Sequence, residues 1–523
     1  MRLGAALRRR EEPIVTCVIG VLLASLILLP LLTLLLQTAP PPLDLATAHV
    51  DLQLAAWIGS AARLFGASCG FAAAVTASAL VVGVPLGVLL GRFDVPGRDW
   101  ALLMHAFPVF APPFLLALGW SHVFAGAPWI AHALFGWSGA LLVLTLALSP
   151  IVTQLVVLGV RGADSRLVDA ARIAAPPGLV ARRVLLPLSV PALSLAALVT
   201  FALAFSELGV PMFLRVKVYP EAVFSRLGGM NPLPGEAAIL ALPMLFLSLA
   251  LLGGERWLGR RRSAASLSWR SPESTLPLGR WRSLVGAAVW AFIALSLLPI
   301  AALGIRGAPA LGGIGDWIGD SGVNSLLVGV CTASVGAALA LTAGWLVGRR
   351  RPGARLIDAV AFLGFVSPAA LLGVGMSCLW NRPLTQGIYG SLGIVVLGLL
   401  ARYAVIPIRT VAAGVLQTST STDEAARIAG ASLVRRLFAI VAGEQRRALA
   451  IAWVLGFVFA IRDLETSALL YPPGGEPLTV RIFTLEANGP EPVVAALASL
   501  QIALTAGVLL LGAGLVRLVG RTR

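Results

Sequence analysis

Long apolar blocks recur along this sequence from one end to the other. Of its 523 residues, 58% are hydrophobic and only 12% are charged. A run of about 20 apolar residues is the length of helix that crosses the hydrocarbon core of a bilayer. A water-soluble chain of this size needs far more polar surface to cover its interior. The runs give about twelve expected spans. In the first half they lie near 14–37, 69–90, 101–124, 138–160, 190–210 and 236–256. In the second half they lie near 284–304, 324–347, 357–378, 389–416, 447–468 and 493–518. The fold class implied is an all-α integral membrane protein.

The basic residues give the orientation. With a cytoplasmic N-terminus and alternating loops, 31 of the 40 Lys and Arg fall in cytoplasmic segments and 7 in external ones. That asymmetry follows the positive-inside rule and puts both termini in the cytoplasm. The net charge of +16 is therefore a topology signal, and nucleic acid is not an expected partner. Arg2 and Arg8 to Arg10 precede the first apolar run, as in a signal peptide. The run is too long for a signal sequence and no small-x-small site precedes Pro40, so an uncleaved first span is expected. Cys17, Cys69, Cys331 and Cys378 are scattered, and His49, His105, His122 and His132 form no ligand cluster. No metal site is expected.

The chain reads as a parallel repeat. Residues 1–262 form a first half of six spans and 284–523 a second, joined by a polar cytoplasmic linker at 263–283. Each half has one long basic cytoplasmic loop between its fourth and fifth spans, near 161–189 and 417–446. The first contains Asp169-Ala170-Ala171-Arg172-Ile173-Ala174 and the second Glu424-Ala425-Ala426-Arg427-Ile428-Ala429. Alanine favours helix, and the hydroxyl and carboxylate side chains at 419–423 can cap its start. Gly430 permits a sharp bend. An amphipathic stretch follows, with Leu433, Leu437 and Phe438 set against Arg435 and Arg436.

These loops resemble the EAA loop of ATP-binding-cassette importer permeases. Glu424, Ala425, Ala426, Gly430 and Ile440 match its pattern in register. In the first loop Ala170 and Ala171 match, Asp169 replaces Glu, and Ala175 stands where Gly is expected. The resemblance implies a type I importer permease fold of two homologous six-helix halves. It also implies that each loop docks on a cytoplasmic ATP-hydrolysing subunit, with the acidic residue in a capping and docking role. That subunit, expected as a homodimer, would bind the ATP and Mg. The chain itself carries no P-loop, because its only lysine, Lys217, lies between Val216 and Val218. It is expected to be no enzyme and to bind no cofactor of its own.

Ionisable residues inside spans are costly and are often functional. Glu207 and the run Arg462-Asp463-Leu464-Glu465 meet that condition, and Glu207 and Asp463 occupy equivalent places in the repeat. They are candidates for the translocation path or its gate. A structural pairing of Arg462 with Asp463, Glu465 or Glu207 is the alternative. The stretches 206–224 and 462–485 are similar to those of fused ferric-iron importer permeases. By that resemblance a periplasmic binding protein delivers the cargo at the bacterial inner membrane. Related permeases carry thiamine, 2-aminoethylphosphonate or polyamines. An ion-coupled secondary transporter could also have six-plus-six repeats and buried carboxylates, and the two EAA-like loops weigh against it.

Overall fold

The computed structural model describes residues 2–37, 49–228, 234–261 and 275–521. Most of the expected linker 263–283 lies outside them. Among the described residues the fold is helical throughout, with one isolated bridge between Phe93 and Leu276. Among the same residues seven helices are long and apolar enough to cross a membrane alone, and four bent pairs raise the number of possible spans to 11. The chain is a multi-pass, all-α membrane protein.

The bends correct several expected straight spans. Arg98–Phe110 meets Pro113–Val123 at 102°, and Ala354–Val366 meets Ala369–Trp380 at 107°. These are the third spans of the two halves, and both break before proline. A proline ring clashes with a helical residue before it, so that residue turns extended. Ala111 accordingly has ψ 146° and Ser367 ψ 126°. Smaller bends of 68° and 49° fall before Val190–Ser206 and within Leu392–Gln417. The span expected over 447–468 is instead a 16-residue helix, Arg446–Ile461, followed after a break by Glu465–Leu470. Its counterpart Val190–Ser206 has 17 residues and ends at Glu207.

Glycine seams bring the second and fourth spans of each half together. Gly83, Gly87 and Gly91 recur every four residues and so share a face of Gly59–Arg92. They seat Val152, Val156 and Val160 of Trp137–Arg161. In the second half Gly344 and Gly348 seat Val411 and Val415. A Cβ on Gly87 would stand 2.6 Å from Val156, and one on Gly344 2.7 Å from Val411. Apolar burial does little to drive helices together inside lipid, so close backbone approach over small residues supplies the packing.

The chain packs as two compact units. One comprises Met1–Asp44, Val223–Phe246 and Pro309–Arg523, the other Leu45–Ala222 and Leu247–Ala308. The first helix of each sequence half thus belongs to the unit built mainly from the other half. In one unit Glu11–Leu36 packs on the bent third span Ala354–Trp380, where the Pro30 carbonyl sits against Gly375. In the other, Arg282–Gly307 packs on Pro113–Val123, and the Pro299 carbonyl sits against Gly119. Only glycine lets a carbonyl approach so closely.

Candidate functional site

Both repeated loops are helical. In the first, Asp164 accepts the Arg166 N–H at 2.9 Å and caps the helix Ser165–Ala174. Ala175 is extended, and Pro177 opens the next turn. In the second loop Ser419 accepts the Ser421 N–H at 3.1 Å ahead of the helix Ser421–Ile428. The expected capping role of Asp169 and Glu424 is therefore corrected, because upstream side chains do that work. Asp169 lies mid-helix and Glu424 in the first turn, where the helix dipole favours a negative charge. Both carboxylates are exposed, as are Ala170 and Ala425, while Ala171, Ala175 and Ala426 are half-buried. Asp169 reaches Arg172 at 3.6 Å, an exposed pair worth at most about 1 kcal/mol.

Gly430 sits at φ +84°, a left-handed conformation that costs other residues energy. The Ala431 N–H bonds to the Ala426 carbonyl and the Gly430 N–H to that of Arg427. This closes the helix as a Schellman turn, so the bend expected at Gly430 has a defined geometry. Ala175 stops its helix by turning extended before Pro176 instead.

The most exposed apolar side chains on the loops are two residues that sequence inspection passed over. Ile173 is 91% exposed and Ile428 85%, and they are the same residue of the repeat. Leu167, Val434 and Phe438 on the same loops are also exposed. The Ala-Ala-Arg-Ile repeat carried the signal, but exposure could not be read from it. Two arginines fix the roots of the loops, Arg92 fully buried and Arg349 half-buried. Arg92 donates to the carbonyls of Val160 and Ala163, each at 2.7 Å. Its counterpart Arg349 donates to those of Thr418 and Ser419 at 3.0 and 2.9 Å.

A second cluster lies at the helix break in the second half. Asp463 Oδ1 accepts the Thr466 N–H at 2.7 Å and the Ser467 N–H at 3.3 Å, capping Glu465–Leu470. Thr479 and Gln501 donate to the Ile461 carbonyl at 2.6 and 2.7 Å. The freed backbone groups thus find partners within the protein, which a break inside a membrane requires. Arg402 joins Asp463 at 2.8 Å and Glu465 at 2.6 Å, and the Tyr403 hydroxyl donates to Asp463 at 2.7 Å. All four side chains are buried.

The pairing expected of Arg462 is therefore made by Arg402, while Arg462 is half-buried over the Phe459 ring, 5.1 Å from its centre. Arg402 could have been suspected as a lone charge in the run Leu399-Leu400-Ala401-Arg402-Tyr403. Glu207 plays the capping part of Asp463 in the first half, where its Oε1 accepts the Val210 N–H at 3.3 Å. Gly209 follows two residues on, where the second half has Glu465.

These features describe a membrane-embedded helical protein with two repeated, solvent-exposed knobs, and the proteins it is similar to include transport permeases. No family model matches the chain. One relative is the Probable ABC transporter permease protein y4fN of Sinorhizobium fredii, 23% identical over 452 residues, covering 78% of this chain and 79% of that protein. Another is the spermidine/putrescine transport system permease protein PotC of Haemophilus influenzae, 28% identical over 36% of this chain and 73% of its own length. A third is the molybdate/tungstate transport system permease protein WtpB of Thermococcus kodakarensis, 26% identical over 37% of this chain and 76% of its own. From those shares, the last two proteins are about half as long as this chain. The similarities support a permease subunit of an ABC transporter.

Proposed function

We propose that the chain is a fused double permease of a binding-protein-dependent, ATP-driven importer in the bacterial inner membrane. Both termini are cytoplasmic, a periplasmic binding protein delivers cargo, and a separate ATPase pair docks on the two loops. The observation that carries this reading is the repeated knob. Two helices with the same Ala-Ala-Arg-Ile core each hold one isoleucine almost wholly in solvent. Leu167 on the first loop and Val434 and Phe438 on the second add further exposed apolar surface, of the kind a partner covers when it is contiguous. Half-length relatives that match about a third of the chain support fusion of two permease units.

In this reading ATP binding closes the ATPase pair, the knobs move, and the paired third and fifth spans reorganise. The Arg402–Asp463–Glu465 cluster holds the broken fifth span in one position and acts as a latch of the path. The chain performs no covalent chemistry. Ferric iron is the cargo we favour, from the likeness of 206–224 and 462–485 to fused ferric-iron permeases. Thiamine, 2-aminoethylphosphonate and polyamines are the competing cargoes. Affinity purification of the tagged chain from its native membrane tests the machinery. Recovery of an ATPase, abolished by Asp169→Lys with Glu424→Lys, supports it. A transport-competent chain free of any ATPase would instead point to an ion-coupled carrier.

A further inference from the structure

We propose that Glu11 and Glu12 make the first helix a moving part of the coupling apparatus, clasped to the second loop; this rests on that loop meeting an ATPase. Glu11 Oε2 accepts the Leu433 N–H at 2.7 Å, the first N–H of the helical turn Leu433–Arg435. Glu12 Oε1 accepts from Arg436 at 3.1 Å, and its other oxygen lies 3.5 Å from Arg351. Arg436 also donates to Asp423 at 3.2 Å. It is 3% exposed and lies over the buried Trp345 ring. One buried guanidinium thus ties together the knob helix, the turn after it and the first helix. A buried charge is stable only while its partners stay in place, so these segments move together.

The same helix bears on the bent third span at its other end. Ile27 packs near Gly364, and the Pro30 carbonyl against Gly375. The π-helical turn Ala24–Leu28, which holds Ile27, lies between the clasp and Pro30, and a helix can yield at such a turn. The second loop is therefore joined by continuous packing to the break at Ser367. The other unit has a charge-reversed analogue in Asp94 with Arg282, at 3.6 Å. There the loop arginines Arg182 and Arg183 are exposed, so among the described residues the clasp on a coupling loop is particular to the second. Glu11 and Glu12 are positioning residues, acting through the loop.

The test uses the full chain bound to its ATPase, with the four native cysteines replaced by serine and spin labels placed in pairs. Val18→Cys with Ile440→Cys reports the clasp, and Val18→Cys with Leu384→Cys reports the far end. Distances are measured without nucleotide and with ATP and vanadate. The clasp distance is expected to hold across both states while the far-end distance shifts. Glu11→Gln with Glu12→Gln should broaden the clasp distance. It should also cut the fraction of complexes that shift by roughly fivefold or more, the lower end of ordinary coupling between sites. Glu11→Asp with Glu12→Asp should restore part of it. A clasp distance that changes with nucleotide in the parent chain overturns the proposal, as does a Gln variant with parental distributions. Failure of the unsubstituted chain to bind any ATPase would instead remove the importer reading itself.

Discussion

Replacing Arg402 with Met removes the one cation that joins Asp463 and Glu465. The three side chains are at most 7% exposed, so neither acid can recover its hydration in place. Breaking a buried pair by removing one partner costs about 3–5 kcal/mol, because it strands a buried charge. The two acids do not share this equally. Asp463 keeps the Tyr403 hydroxyl and the Thr466 and Ser467 N–H groups, whereas Glu465 loses its 2.6 Å partner. Adding Glu465→Gln to Arg402→Met should therefore recover more stability than adding Asp463→Asn. The triple variant should come back close to the parent, since neutral replacement of a whole buried ion group is often harmless. Unfolding in detergent, followed by heat and by denaturant, measures the series. A loss under about 1 kcal/mol for Arg402→Met, the range of a solvated pair, would refute the view that burial makes this cluster strong. Asp463→Asn destabilising more than Glu465→Gln rescues would confirm instead that capping outweighs pairing at the break.

The remaining predictions separate docking from folding. Ile173→Asp with Ile428→Asp should abolish ATPase association in a pull-down while leaving the melting temperature of the chain unchanged, since both side chains lie in solvent. Arg92→Met removes charged hydrogen bonds to the Val160 and Ala163 carbonyls, each worth about 1.5–3 kcal/mol. Faster amide exchange at the start of the first loop is its expected sign. Gly87→Leu should cost about 1–3 kcal/mol by overpacking against Val156, visible as a lowered melting temperature. Gly430→Ala should cost about 1 kcal/mol from its left-handed backbone and reduce ATP-driven uptake more than chain yield.

Hydropathy, charge and repetition settle a great deal about this chain without coordinates. Bilayer thickness dictates the length of an apolar run, so the helical membrane class and most span positions are legible in one dimension. Arginine placement gives the expected orientation by the same logic, and the repeated Ala-Ala-Arg-Ile marks both loops. Glu207 and Asp463 also stand out because charge is rare in such runs. What pairs with them does not, since Arg402 lies 61 residues from Asp463 and nothing local links the two.

Tertiary packing alone decided the rest. Proline at 112 and 368 announces a break, but only the packed fold gives the turns of 102° and 107°. The exchange of first helices includes close carbonyl-to-glycine contacts, Pro30 on Gly375 and Pro299 on Gly119. Such contacts join residues far apart in the chain and leave no periodic trace. The same holds for the clasp at Glu11 and Glu12, two acids beside a run of arginines in sequence. Arg436 takes Glu12 as a partner because the fold buries it, and a buried guanidinium must be met by carboxylates from whichever segments reach it, while Glu11 meets the Leu433 N–H.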